Sequence, residues 1–429
     1  MDDPVLSRRV ALDILVACLD KGQPLDDALA RHQGFANLDP RDRAFVRLLL
    51  ATTLRRLGEI EEVMGFLVER PLEGANAAGR QVLRLGAAQL LFLGTPPHAA
   101  VDTSVRLVVD AGLPHLKGLA NAVLRRISRD GPALLGDRDP ARLNTPQWLW
   151  ESWTESYGEE ATRAIAAAHL IEAPLDLTPR SNAQFWAGQL EGDLLPTGSI
   201  RREGGGNITE LPGFAEGAWW VQDAAATLPV RLLGEISGKH VADLCAAPGG
   251  KTLQLAAAGA DVTAVDISAR RMTRVGENLA RAGLSAKLVT ADAGKWVTDE
   301  TFDAILLDAP CSGTGTLRRH PDIAWLKDEQ DVGRLTLTQD RLLVRAAELL
   351  KPGGTLVYAV CSLQDDEGPA RLEALLGRDK RLRRVPVEPA ELPGIVGAIT
   401  PKGDVRTLPS MWPERRGMDG FFIGRLQKG

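Results

Sequence analysis

The sequence predicts three regions: an all-α helical bundle, a small α/β connector, and a doubly wound α/β domain with a mostly parallel sheet. Three observations carry this. Over residues 1–140, apolar residues recur at helical spacing with little strand patterning. Over residues 231–429, short apolar runs alternate with helix-length segments, the signature of repeated βα units. Between them, residues 141–230 mix both patterns and carry a glycine loop at Gly204-Gly205-Gly206.

In the first region, Val5–Leu19 sets Leu6, Val10, Ile14 and Cys18 on one side of a helix. Asp39 can cap a second helix, with Pro40 at its first position, running on through Arg41–Leu57. Phe45, Leu48, Leu49 and Thr52 are expected on its inner side, and Gly58 is expected to weaken its continuation. Val82–Leu93, Ala99–Ala111 and Leu116–Ile127 follow, separated by Gly94, Pro96-Pro97, Gly112 and Pro114. Arg125, Arg126 and Arg129 read as a solvated helix end. In the connector, Trp148, Trp150 and Trp153 lie on a helix opened by Asn144, Thr145 and Pro146. Core packing is the expected role for these tryptophans, ahead of base stacking. Pro174–Leu177 reads as a short strand.

The last region alternates more regularly. His240–Cys245 is a strand, followed by Gly249-Gly250 and a helix to Ala258. Asp261–Ile267 is a strand, Ala269–Ala282 a helix and Ala286–Thr290 a strand. Phe302–Leu307 is nearly uninterrupted apolar sequence, as expected of a strand covered on both faces. Val332–Leu350 is a long helix ended by Pro352-Gly353-Gly354. Thr355–Val360 is the next strand, Asp365–Leu376 the next helix, and Phe421-Phe422-Ile423 a late edge strand.

Composition narrows the function classes. The chain has 429 residues, 44 % hydrophobic and 25 % charged, with a formal net charge of −5. That is globular composition, not a disordered or collagen-like chain. Four cysteines (Cys18, Cys245, Cys311, Cys361) are too few for a disulfide scaffold and contain no Cys-x-x-Cys pair. A reducing, cytoplasmic setting without a structural zinc or other metal is expected. Met1-Asp2-Asp3-Pro4 is acidic where a signal peptide is basic, and no apolar run approaches the roughly 18 residues of a membrane span. The acidic total does not exclude nucleic acid, because phosphate binding needs only a local basic face.

The first strand of the α/β domain runs into Asp243-Leu244-Cys245-Ala246-Ala247-Pro248-Gly249-Gly250-Lys251-Thr252. A glycine turn there lets the backbone approach a ligand. Gly250-Lys251-Thr252 mimics the end of a P-loop, but Cys245 stands where that motif needs its first glycine, and G-x-G-x-x-G is absent. Asp266 ends the second strand and can accept two ribose hydroxyls. Asp292 ends the third and can reach an adenine edge. An adenosine-containing ligand without a phosphate cradle fits, and S-adenosyl-L-methionine is one. The fourth strand runs into Asp308-Ala309-Pro310-Cys311-Ser312-Gly313, and the fifth into Cys361-Ser362-Leu363. In a doubly wound order these strands are neighbours, roughly 4.8 Å apart, so the two cysteines should emerge side by side near Asp308. Thiols and a carboxylate beside a methyl donor suit attack on a poorly nucleophilic carbon. Pyrimidine carbon 5 is one, made nucleophilic when a thiolate adds to carbon 6. Either cysteine could take that role on spacing alone.

Asp243–Thr252, Asp308–Gly313, the Cys361-Ser362 strand end, Arg318-Arg319-His320-Pro321-Asp322-Ile323, Gln222-Asp223-Ala224 and Asp419-Gly420-Phe421-Phe422 resemble the RNA 5-methylcytosine methyltransferase family. Arg8–Leu29, Asp42–Arg56 and Asn121-Ala122-Val123-Leu124-Arg125-Arg126 resemble the NusB-type RNA-binding fold. The combination resembles the bacterial Sun or RsmB family, which methylates 16S ribosomal RNA. That resemblance implies a NusB-like domain over 1–140, a connector over 141–230 and a Rossmann-like catalytic domain over 231–429. It implies Cys361 as nucleophile, Cys311 as the group assisting product release, and Asp308 at the cofactor's methionine end and the target base. Cys245, Ala246, Ala247, Pro248, Gly249, Gly250, Lys251, Asp266 and Asp292 are implied to bind S-adenosyl-L-methionine. Ala359-Val360 stands before the nucleophile where the family commonly carries Ser-Thr or Ala-Thr. A monomer acting on an exposed single-stranded loop of small-subunit ribosomal RNA is expected. Arg318, Arg319 and Lys251 are expected on the face carrying the cysteine pair. An RNA-assembly factor without activity, or a sibling acting on transfer RNA, are the rival readings.

Overall fold

A computed structural model describes residues 5–203 and 206–429. Met1–Pro4 and, from the expected glycine loop, Gly204 and Gly205 lie outside the described residues. The chain packs as two units, Met1–Ile171 with Leu317–Lys327, and Glu172–Thr316 with Asp328–Gly429.

The first unit is helical. Its main helices are Leu6–Leu19, Pro40–Arg55, Leu57–Gly65, Ala77–Leu91, Pro97–Asp110, Lys117–Leu135, Gln147–Tyr157 and Glu159–His169. Asp39 caps the second of these, its Oδ1 accepting the Asp42 amide at 2.8 Å, with Pro40 opening it. The inner side matches the expected one at Leu49 and Thr52 and differs elsewhere. Leu48 is exposed and Phe45 half-buried, while Val46, Leu50, Thr53 and Leu54 are buried. That spacing of three and four is the arc a helix buries against neighbours on two sides, here Leu6–Leu19 and Ala77–Leu91. The helix ends at Arg55, close to Gly58, where its continuation was expected to weaken. Gly58 lies in the first turn of the next helix, Leu57–Gly65, and a Cβ there would stand 1.8 Å from the Leu143 carbonyl oxygen, so the glycine also permits a close backbone approach.

Trp153 is fully buried, with its ring 5.6 Å from that of His169, which is the expected core role. Burial, then the charges of Arg318 and Arg55, push His169 down to about 3. Trp150 stacks beneath Arg142 and Arg163. Of the expected arginine cluster, Arg126 and Arg129 both face Asp130, and Arg125 bonds Asn121. The 317–327 segment belongs to this unit. Asp322 accepts the Leu25 amide at 3.0 Å, and the Trp325 indole donates to the Leu54 carbonyl at 2.8 Å.

The second unit opens with a small antiparallel sheet in which Leu175–Pro179 lies between Ile200–Arg202 and Trp219–Val221, with Asp193–Leu194 at one edge. A buried ion pair ties it together. Arg201 donates from Nε and Nη2 to both Asp176 oxygens at 2.7 Å, and from Nη1 to the Arg415 and Gly417 carbonyls. Asp176 also accepts the Ala224 amide at 3.0 Å, which fixes the Gln222-Asp223-Ala224 motif. Asp223 in turn accepts the amides of Ala225 and Asp419.

The main sheet holds β1 (His240–Leu244), β2 (Asp261–Asp266), β3 (Lys287–Thr290), β4 (Phe302–Asp308), β5 (Leu350–Val360), β6 (Leu382–Arg384), β7 (Val405–Thr407) and β8 (Phe421–Lys428). The order is β6-β8-β5-β4-β1-β2-β3, with β7 on β8. Strands β1–β5 are parallel, as expected. The late strand is not an edge: β8 runs antiparallel along β5, with β6 and β7 on its other side. Phe422, Ile423 and Leu426 are fully buried there, so its apolar run reflects two covered faces. Helices α1 (Gly250–Ala257), α2 (Ala269–Arg281), α3 (Glu329–Leu349) and α4 (Pro369–Arg378) connect the strands. No helix among the described residues is long and apolar enough to cross a membrane.

Removing one partner of a buried ion pair strands the other charge in a poor solvent. Arg201→Ala should therefore cost about 3–5 kcal/mol. Urea unfolding monitored by tryptophan fluorescence checks this; a loss under 1 kcal/mol would contradict the assigned role.

Candidate active site

The site forms where β1, β2, β4 and β5 end. Cys245, the first residue past β1, sits in the left-handed region (φ +66°), and Gly249 follows at φ +105°. A side chain at 249 would also press on Val275, with contacts of 3.2–3.4 Å, so glycine is required twice over. Between them, the Ala246 amide donates to the Val265 carbonyl at 3.0 Å and the Ala247 amide to Asp266 Oδ2 at 3.1 Å. These bonds, from Cys245–Gly250 to the end of β2, hold the loop as a cradle. Asp266 is buried and takes the Ser268 amide on its other oxygen. Each of its oxygens keeps a lone pair for a ligand hydroxyl. Asp292, beyond β3, accepts the Gly294 amide at 3.0 Å and pairs with Arg341 at 3.1 Å.

Lys251 does not point at a phosphate site. Its Nζ donates to Asp308 Oδ2 at 2.7 Å and lies 5.3 Å from the Phe421 ring centroid. Burial opposes its charge, but Asp308's charge and hydrogen bond, with smaller help from Cys361 and Asp243, raise its pKa. The lysine is thus a buried cation committed to Asp308. Arg318, expected beside it, is instead buried (1 % exposed) and belongs with Arg319 to the helical unit. The expectation of Arg318 on an exposed face is corrected by its burial.

In the β4–β5 ladder Asp308 pairs with Ala359, and the Ala309 amide donates to the Ala359 carbonyl at 3.0 Å. Past these ends the Gly315 amide bonds the Cys361 carbonyl at 3.0 Å. The two sulfurs consequently lie 3.4 Å apart as free thiols. The hydrogen bond with Cys361, then burial, then the charges of Cys361 and Glu367 push the Cys311 thiol well up. Cys311 therefore keeps its proton, within hydrogen-bond distance of Cys361. Cys245 is pushed up too, by burial and then by Asp266 and Asp308, which makes it inert. No group of three or more His, Cys, Asp or Glu among the described residues is placed to hold a metal.

Residues 230–427 match the family described as 16S rRNA methyltransferase RsmB/F, and residues 6–129 match the NusB family. The ribosomal RNA small subunit methyltransferase B of Salmonella arizonae is 37 % identical over 394 residues, covering 86 % of this chain and 90 % of that protein. The chain belongs to the ribosomal RNA small subunit methyltransferase B family. The Vibrio cholerae protein of that name is 35 % identical over 98 % of this chain and 97 % of its own length. A crystal structure of a methyltransferase homolog from Pyrococcus horikoshii matches at 26 % identity with a TM-score of 0.56, over 65 % of this chain and 94 % of that one. The crystal structure of PH0851 has a TM-score of 0.79 over 100 % of this chain and 99 % of its own, a likeness of fold at 23 % identity.

Two residues of this methyltransferase B chain escaped the sequence reading. Glu367 is fully buried between the two cysteine loops. Asp243, on β1, is fully buried, accepts Thr252 Oγ1 at 2.6 Å on one oxygen, and has no partner on the other. An acidic residue near the end of an apolar strand was the available signal. Burial, against the Thr252 hydrogen bond and with Asp308's charge adding, pushes Asp243 up to about 7.

An unfolded aspartate titrates near roughly 3.9, so the folded chain holds an extra proton between that pH and about 7. The stability this group contributes is full below pH about 4 and is lost as pH rises through about 7. The ligand-free wild type should lose stability between pH 5 and 8 more steeply than Asp243→Asn, by on the order of a few kcal/mol. Urea titrations across that range check it, and parallel curves would contradict it.

Proposed function

We propose that this chain methylates carbon 5 of a cytosine in small-subunit ribosomal RNA, using S-adenosyl-L-methionine. The observation that carries the reading is the pair of free thiols 3.4 Å apart, at neighbouring strand exits, with the Lys251–Asp308 pair on the same sheet edge. The cofactor fits the residues present. The unpartnered, buried Asp243 oxygen suits a ligand ammonium. Asp266 keeps lone pairs for ribose hydroxyls, and Asp292 stands past β3 for the adenine. The Cys245–Lys251 turn supplies close backbone approach. When bound, S-adenosyl-L-methionine supplies a methyl group on a positively charged sulfur. No metal is invoked.

The chain's own residues account for the rest. The Cys361 thiolate adds to carbon 6, and the carbon 5–carbon 6 π pair moves into the ring, leaving carbon 5 electron-rich. Asp308, held by Lys251, takes up the proton that Cys361 releases and passes it to ring N3, which stabilises that charge. After carbon 5 is methylated, a water molecule takes its proton, the C–H pair re-forms the double bond, the carbon–sulfur bond breaks, and N3 gives its proton back. Cys311, protonated and next to Cys361, gives its proton to the departing sulfur. This ordering supports Cys361 as nucleophile and Cys311 as release group. Residues 1–140 are assigned to RNA binding, 141–230 to the connector and 231–429 to catalysis. The family names of the relatives support the small-subunit RNA target. The enzyme is read as a cytoplasmic monomer that takes its cytosine from a single-stranded loop.

Bisulfite sequencing of small-subunit ribosomal RNA, with and without the gene, should show one methylated cytosine disappear; an unchanged pattern would overturn the target. Cys361→Ala should lower methylation at least about a thousandfold, since the covalent route is removed. Cys311→Ala should accumulate a protein–RNA adduct that survives a denaturing gel. Active Cys361→Ala, or no retained RNA with Cys311→Ala, would contradict the assignment.

A further inference from the structure

Both cysteines are followed by a serine, and both serines meet one carboxylate. Glu367 is fully buried, on the turn between β5 and α4. Its Oε2 accepts Ser312 Oγ at 2.5 Å and Ser362 Oγ at 2.5 Å. Its Oε1 accepts the Ser312 amide at 2.8 Å and Gln339 Nε2 at 3.0 Å. The same Gln339 nitrogen donates to the Pro310 carbonyl at 2.9 Å, on the other side of Cys311. The Tyr358 hydroxyl anchors the Glu367 carbonyl at 2.6 Å. A carboxylate offers about four acceptor positions, so this one is saturated. Among the described residues no lysine or arginine pairs with it. Burying a carboxylate without a cation is costly, and an apolar residue would fill the space more cheaply. Its four donors come from the Cys311 loop, the Cys361 loop and α3, so it joins all three.

We propose that Glu367 is a positioning residue that sets the distance between Cys311 and Cys361, by bridging Ser312 and Ser362. It touches neither substrate nor cofactor. Strand pairing places the loops side by side, but both loops leave the ladder before the sulfurs meet. Beyond β4 and β5 the Gly315 amide on the Cys361 carbonyl and the Leu363 amide on the Thr314 hydroxyl join the loops, and the two serines next to the cysteines meet each other and Glu367. Glutamate is suited because its two oxygens can accept from both loops at once. Its charge also favours the protonated form of Cys311. The inference rests on the proposed roles of the two cysteines, and it is tested by a readout independent of them.

The test compares wild type with Glu367→Ala, Glu367→Gln and the double variant Ser312→Ala/Ser362→Ala. The first measurement is the Cys311–Cys361 disulfide equilibrium against glutathione, without RNA, which reports the effective concentration of one thiol at the other. The second is kcat and KM on a small-subunit RNA transcript. Glu367→Ala should lower the effective concentration at least about tenfold. It should lower kcat about a hundredfold, with KM for RNA within about twofold. Glu367→Gln should recover most of both, because its amide can donate to hydroxyls that turn to accept. The serine double variant should fall in between, and it substitutes for Glu367→Ala if that protein does not fold. Wild-type effective concentration in Glu367→Ala, a lowered one with wild-type kcat, or Glu367→Gln no better than alanine would each overturn the proposal. If Cys361→Ala stays active, the nucleophile assignment fails, while the disulfide equilibrium still decides the spacing.

Discussion

The parallel pairing of β4 with β5 is the constraint on which the site depends. Its register sets Asp308 opposite Ala359, so both strands end at one level and their loops leave together. Cys311 and Cys361 are 50 positions apart in sequence and 3.4 Å apart in space for that reason. β8 on the far side of β5, and β1 on the far side of β4, cover the remaining edges and keep the register from slipping. A one-residue shift would turn each side chain to the opposite face and separate the thiols. The burial of Phe422 and Ile423 on β8 is thus part of how the site is held.

A second constraint is electrostatic. Asp243, Asp266 and Asp308 sit around one glycine turn, with Lys251 as the buried cation committed to Asp308. The P-loop-like Gly250-Lys251-Thr252 sequence therefore serves a different end: the lysine holds a carboxylate and the threonine binds Asp243. What remains is an acidic cradle with an unpartnered oxygen, matched to a cationic ligand rather than to a phosphate. The cysteines divide along similar lines. Cys245 is made inert by burial next to carboxylates, while the bond with Cys361 and burial keep Cys311 protonated.

Much of this was legible in the sequence, and the misses have physical causes. Strand order, the glycine turn and the meeting of the cysteines follow from local patterns that few topologies satisfy. The inner face of Pro40–Arg55 was misjudged because burial on two sides widens and turns the apolar arc from Leu48 to Val46. Gly58 read as weakening the helix, which does end at Arg55, and only the Leu143 carbonyl against it reveals a close approach. β8 looked like an edge because nothing in Phe421-Phe422-Ile423 tells which strands flank it. Arg318 looked like a surface cation, yet its segment packs into the helical unit. Glu367 was hidden in the acidic run Asp365-Asp366-Glu367, where only the third carboxylate turns inward. In each case the deciding contact is distant in sequence.

The central claim is that the thiol just past β5, not the one past β4, bonds the pyrimidine. Trapping the adduct with Cys311→Ala enzyme, digesting it, and mapping the nucleotide-bearing peptide by mass spectrometry tests this most directly. The account predicts the added mass on Cys361. An added mass on any other residue, with Cys361 free, would contradict it.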